Sequence, residues 1–134
     1  MSKPKIRVLL VEPMEHPKEY HIEPSMRAFR KAVNVGTTHK GKVEAKKLEH
    51  GVYAIFNKDS YLSALAPNRQ IGDDIIVGTM LIVAIDEDRI PISMMDEQMR
   101  KCALRFWHTE SFDEINVMEV NMNTFLHHFL KDEV

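Results

Sequence analysis

Apolar residues come in short runs whose period changes along the chain. Residues 5–12 (Lys-Ile-Arg-Val-Leu-Leu-Val-Glu) read as a central strand. Pro13, which has no N–H for a ladder, ends it. Tyr20 and Ile22 alternate with Glu19, His21 and Glu23, predicting a short second strand folded back as a hairpin. Pro24 suits the first turn of a helix. Met26, Phe29 and Val33 then recur at helical spacing, with Arg27, Arg30 and Lys31 elsewhere on the turns, and Gly36 is a stop signal.

Residues 42–49 read as a third strand, His50-Gly51 as a tight turn, and 52–57 as a fourth strand rich in Tyr, Ile and Phe. Residues 61–66 fit a short helix or a short strand. Leu65-Ala66-Pro67-Asn68-Arg69 reads as a turn, and 75–85 as the last and longest strand, apolar enough for burial on both faces. Asp86-Glu87-Asp88 turns the chain. Ser93 with Asp96 fits a helix-capping box, and Met95, Met99, Cys102, Ala103 and Phe106 mark one face of the helix that follows. Ser111 and Glu114 form a second such box, and Met118, Met122, Phe125 and Phe129 predict a C-terminal helix. The order predicts an α+β domain: a mainly antiparallel sheet of about five strands, with two to three helices packed on one face. No repeat or linker divides the 134 residues, so one domain over 1–134 is expected, with a core over 5–107 and a helical extension over 108–134.

Composition narrows the class. Apolar content of 44% and charged content of 28% suit a soluble globular chain rather than a disordered one. No apolar run approaches the roughly 18 residues of a membrane span. The basic start is followed by too short a run for a signal peptide. A single cysteine, Cys102, excludes an internal disulfide and a cysteine zinc site. The default compartment is the bacterial cytoplasm. Net charge is −2, but residues 1–60 hold 12 Lys and Arg against 7 Asp and Glu, while 61–134 hold 6 against 13. This asymmetry fits a basic face for nucleic acid or an anionic ligand; it also fits charges that intermix on one surface.

Catalytic chemistry finds little support. The seven histidines lack metal-binding spacing, and the adjacent His127 and His128 would diverge by about 100° on a helix. An enzyme built on His21 or His108 with nearby carboxylates has no spacing in its favour. Asp73-Asp74 and Asp86-Glu87-Asp88 can hold a hard cation but are also ordinary turn residues. Ser60, Ser63 and Ser93 lack a nucleophile-elbow context. Cys102 falls on the inward stripe of its helix, as a buried small hydrophobe. No catalytic residue, metal site or cofactor is expected.

Two features support ligand binding. Arg69 follows a Pro-Asn turn that fixes its direction, and arginine suits bidentate anion recognition. Gly78 inside a strand marks a bulge or a close approach, and Thr79 beside it offers a hydroxyl. Asn68, Arg69, Gly78 and Thr79 are therefore the candidate ligand site. The competing reading makes Asn68 a turn cap, pairs Arg69 with Asp73 or Asp74, and gives Gly78 a packing role. Arg27, Arg30, Lys31, Lys46 and Lys47 are candidate phosphate contacts, without the interleaved aromatics of a stacking platform.

Val11-Glu12-Pro13, Leu65-Ala66-Pro67-Asn68-Arg69, Ile76-Val77-Gly78-Thr79 with Ile82-Val83, and Met95-Asp96-Glu97-Gln98 occur in that order. Together they resemble the family of the domain of unknown function 3846, small proteins of phages, plasmids and Firmicutes genomes. The resemblance covers about residues 5–107. It departs at Ala66, where the family commonly has proline, and at Met95, where a threonine cap is common. It implies a phage or mobile-element context and assigns no catalytic residues. The expected function is that of a non-enzymatic binding protein acting on a host factor, in host takeover or anti-defence. The alternative is a binder of a small anionic or nucleotide-like ligand. Methionines 94, 95, 99, 118 and 122 offer either an adaptable interface or core packing, and a homo-oligomer is compatible with both.

Overall fold

The computed structural model describes residues 4–37, 42–63 and 65–109. Strand β1 (Ile6–Val11) forms an antiparallel hairpin with β2 (Lys18–Ile22), Ile6 facing Ile22. Helix α1 (Met26–Val33) follows, with the Ser25 hydroxyl accepting the Ala28 N–H at 3.1 Å. Strands β3 (Val43–Glu49) and β4 (Val52–Asn57) form a second hairpin. A 3-10 turn at Ser60–Leu62 leads into β5 (Pro67–Ile71) and β6 (Asp74–Val77). Strands β7 (Met80–Ile85) and β8 (Pro91–Ile92) and helix α2 (Asp96–Arg105) complete the described elements.

The main sheet runs β2-β1-β7-β4-β3, and every pair in it is antiparallel. Strand β7 is its axis: Ile82 faces Leu9 of β1 on one side and Ala54 of β4 on the other. Strand β8 pairs with the far end of β7, on the flank that β1 occupies at the near end. The domain is thus α+β with a mainly antiparallel sheet.

The two helices lie on opposite faces, which corrects the one-face expectation. Alternation along β1 and β7 splits the core. Val8, Leu81 and Val83 meet Phe29 and Val33 of α1; Leu9, Val11, Met80, Ile82 and Ala84 meet Cys102 and Phe106 beneath α2. An eight-residue helix is marginal alone, so burial of Phe29 and Val33 is what holds α1 in place. Met26, at the same helical spacing, is exposed. The third helix expected beyond residue 108, with Ser111, Glu114, Met118 and Met122, lies outside the described residues.

The apolar run 75–85 is not one strand. Gly78 adopts φ +80°, so the chain turns there and β6 leaves the main sheet to pair with β5. The segment expected as a Pro-Asn-Arg turn is itself the start of β5. Hydrophobicity hides the break because both pieces are buried: Ile76 joins the α2-side core, and Ile75 and Val77 pack with Leu65. The cap of α2 is also displaced. Met95 is its N-cap, and Gln98 Oε1 accepts the Met95 N–H at 2.8 Å, while the Ser93 hydroxyl accepts the Arg7 N–H at 3.0 Å. The serine ties α2's approach to β1 instead of capping the helix.

Candidate functional site

Asn68, Arg69 and Gly78 converge where β1 ends and β7 begins. Asn68 is fully buried, and its amide nitrogen donates to the carbonyls of Val11 and Gly78, both at 2.8 Å. Gly78 donates back through its N–H to Ala66 at 3.0 Å. One asparagine thus fastens β5 to the last residue of β1 and to the glycine that breaks the apolar run.

Arg69 is 1% exposed. Its Nε and Nη2 donate to the Phe106 carbonyl at 3.1 and 2.8 Å, and Nη2 also donates to the Glu15 carbonyl at 2.7 Å. Its Nη1 donates to the Asn68 side-chain oxygen at 2.9 Å and to the Asn68 carbonyl at 3.3 Å. All five N–H groups of the guanidinium therefore meet an oxygen acceptor. Phe106 caps the C-terminal end of α2, where the helix leaves its carbonyls unsatisfied and its dipole favours a cation. Arg69 works as a bracket joining the end of α2, the β1–β2 loop and β5. Asp74, offered by sequence as its partner, instead binds Lys46 Nζ at 2.7 Å, and the same Nζ donates to the Ile71 carbonyl at 3.0 Å. The fourth candidate, Thr79, is half-buried beside this network.

The bracket carries an exposed aromatic surface that sequence reasoning missed. Trp107 follows Phe106, is 45% exposed, and stacks on His16 with centroids 4.0 Å apart and planes 10° from parallel. His16 Nδ1 lies 2.6 Å from the Trp107 carbonyl; because the carbonyl only accepts, Nδ1 carries the proton and donates. Leu104, whose carbonyl accepts the Trp107 N–H, is 68% exposed. Met14, two residues before His16, is 65% exposed and holds φ 66°. A large side chain in left-handed backbone is uncommon, and such strain collects at functional positions. The available signal was the lone tryptophan of the chain, placed just past the end of an amphipathic helix.

The other candidates scatter. His21 pairs with Glu19 at 3.1 Å on the surface, and His108 is exposed. Lys46 and Lys47 point to opposite faces, as neighbours on a strand must, so the five basic residues Arg27, Arg30, Lys31, Lys46 and Lys47 do not share one surface. Cys102 is buried, and desolvation pushes its thiol up from the ordinary range. Met94 is buried and Met99 packs on the core, whereas Met95 is exposed; Met118 and Met122 lie outside the described residues. Among the described residues no helix is long and apolar enough to cross a membrane.

A family model described as "Domain of unknown function (DUF3846)" matches residues 6–106. The match contains Asn68, Arg69 and Gly78 and ends on Phe106, whose carbonyl Arg69 holds. No curated relative and no solved structure matches the chain.

Proposed function

The chain belongs to the DUF3846 family, and from that premise we propose that it is a non-enzymatic binding protein of phage or mobile-element origin that acts on a host protein. The observation that carries this reading is the half-exposed Trp107, held flat against His16 on a backbone that Arg69 fixes. Tryptophan and methionine are enriched at protein interfaces, and a few buried aromatic anchors supply most of the affinity. An anchor already held in one rotamer loses little entropy on binding. Leu104 and Met14, each within three residues of a member of the stack, are also exposed apolar side chains. The reading rests on this surface as a means of contact, and the host setting is part of the proposal.

The test compares tagged wild type with a Leu104→Glu, Trp107→Glu double variant in bacterial lysate, with captured proteins quantified by mass spectrometry. Both positions are exposed, so the variant is expected to keep the fold, and circular dichroism checks that it does. The reading expects a defined host protein bound by wild type and depleted at least about tenfold by the variant, as loss of a hot-spot aromatic requires. Equal capture by both proteins would sink it.

A further inference from the structure

A second site lies at the other end of β7. The β3–β4 turn, the β7–β8 loop and the start of α2 enclose an open cleft of about 400 Å³, within the usual range for small-ligand sites. Lys47, His50, Tyr53, Glu87, Arg89 and Ile92 line it. We infer that this cleft binds a nucleotide, with Lys47 and Arg89 on the phosphate and Tyr53 against the base. The inference is independent of the docking surface around Trp107.

The chemistry of the lining carries it. Lys47 and Tyr53 face each other directly across the β3–β4 pair, which sets an ammonium beside an aromatic ring on a rigid sheet. Arg89 approaches from the β7–β8 loop. Among the described residues, neither Lys47 nor Arg89 forms a side-chain hydrogen bond or ion pair. Their donors are free for an external anion, and two cations converging on one concavity is the arrangement a phosphate needs.

The loop that presents Arg89 is itself well fixed. Asp86 Oδ1 accepts the N–H groups of Asp88 and Ile90 at 2.8 and 2.9 Å, and the Asp86 carbonyl accepts the Arg89 N–H at 3.0 Å. Arg89 holds φ 64°, a conformation in which glycine or asparagine would be less strained. The Asp86 carboxylate is thus engaged in shaping the loop. The Glu87 carboxylate remains exposed and suits the hydroxyl donors of a ribose, a role acidic residues serve in other nucleotide sites. The ring of Tyr53 gives the apolar contact that a planar base requires. Together the residues match the parts of a nucleotide better than those of inorganic phosphate, which needs no ring, or of an apolar ligand, which needs no cations.

The test uses the full chain and calorimetric titration with adenosine, guanosine, cytidine and uridine monophosphates, with inorganic phosphate as reference. At least one nucleotide is expected to bind more tightly than phosphate. Lys47→Ala and Arg89→Gly are each expected to weaken it about tenfold or more, the loss of a charge-assisted contact. Tyr53→Leu is expected to weaken the nucleotide about tenfold while leaving phosphate unchanged, as loss of stacking predicts. Arg89→Gly removes strain and so keeps the fold, which makes a loss of binding interpretable. The inference is overturned if no nucleotide binds at millimolar concentration, if phosphate binds as tightly, or if Arg89→Gly and Lys47→Ala bind like wild type.

Discussion

Arg69 and Arg89 lie at opposite ends of β7 and meet opposite surroundings. Arg69 is buried, and its guanidinium is engaged by the carbonyls of Phe106, Glu15 and Asn68 together with the Asn68 side chain. Arg89 is exposed, sits in left-handed backbone, and opens onto a cleft. Both are the same residue on an antiparallel frame, yet one is consumed by the fold and the other is free for a ligand. The difference comes from what each faces. The C-terminal end of α2 and the β1–β2 loop present carbonyls that need donors, whereas the β7–β8 loop satisfies its own N–H groups through Asp86. An arginine's place in a motif therefore says less about ligand binding than the count of acceptors around it.

The sharpest way to break the comparison is Arg69→Ala. It leaves the buried Phe106 carbonyl and the part-buried Glu15 carbonyl without their donor and opens a void beside Asn68. Hydrogen bonds to charged groups and buried polar groups left unpaired predict a loss of about 3 kcal/mol. The urea midpoint should fall at unchanged slope. A loss under about 1 kcal/mol would mean that water replaces the guanidinium readily, and Arg69 would regain standing as an anion receptor together with Gly78 and Thr79.

Gly78→Ala probes the same end by a different route. A Cβ there would stand 3.0 Å from Leu65 Cδ1 and 3.8 Å from Ser60, on backbone at φ +80°. The left-handed penalty of about 1 kcal/mol and the forced shift of Leu65 predict a loss of about 2 kcal/mol. Wild-type stability in this variant would mean that the break between β6 and β7 does not depend on glycine.

The residues that were legible in the sequence are those whose signal is local. Short-range periodicity, β-branched and aromatic content and turn residues located β1, β2, α1, β3, β4 and α2, because those signals lie within a few residues of one another. The break at Gly78 was hidden because an unbroken apolar run looks the same whether its halves share a sheet or not. Placement of the two helices on opposite faces depended on which alternate residues of β1 and β7 faced α1, and that is decided by tertiary pairing. Arg69 and Asn68 stood out in the sequence, but their carbonyl partners are main-chain groups on distant segments, which no residue pattern encodes. The cleft is harder still to read. Lys47, Tyr53 and Arg89 belong to three segments and carry no motif, and only the register opposite Tyr53 and the fold of the loop after β7 gather them.

Arg89→Gly tests the other end and should act with the opposite sign. Relief of left-handed strain is worth about 1 kcal/mol, and the added freedom of glycine in the unfolded chain returns part of it. A net gain of about 0.5 kcal/mol is expected by urea denaturation, coupled to loss of nucleotide binding. A loss of stability would mean that the Arg89 side chain supports the fold after all, and the contrast with Arg69 would collapse.

Cys102 reports on both ends through one reaction. It lies one turn before Phe106 and is 4% exposed, so a thiol reagent reaches it only when α2 lifts. Burial pushes its thiol up, which means that the folded state keeps the proton at a pH where the unfolded chain releases it. That contribution is fully present below the ordinary thiol value of about 8.5 and is lost as pH rises beyond it, so stability should fall gently into the alkaline range. When opening is fast relative to alkylation, the rate follows the open population. At pH 7.5, a loss of about 3 kcal/mol in Arg69→Ala should accelerate alkylation about a hundredfold if α2 opens with the whole domain, whereas Arg89→Gly should leave it unchanged or slower. Native protein that reacts as fast as the urea-unfolded chain would show that α2 is not held at its C-terminal end, and the bracket assigned to Arg69 would fail with it.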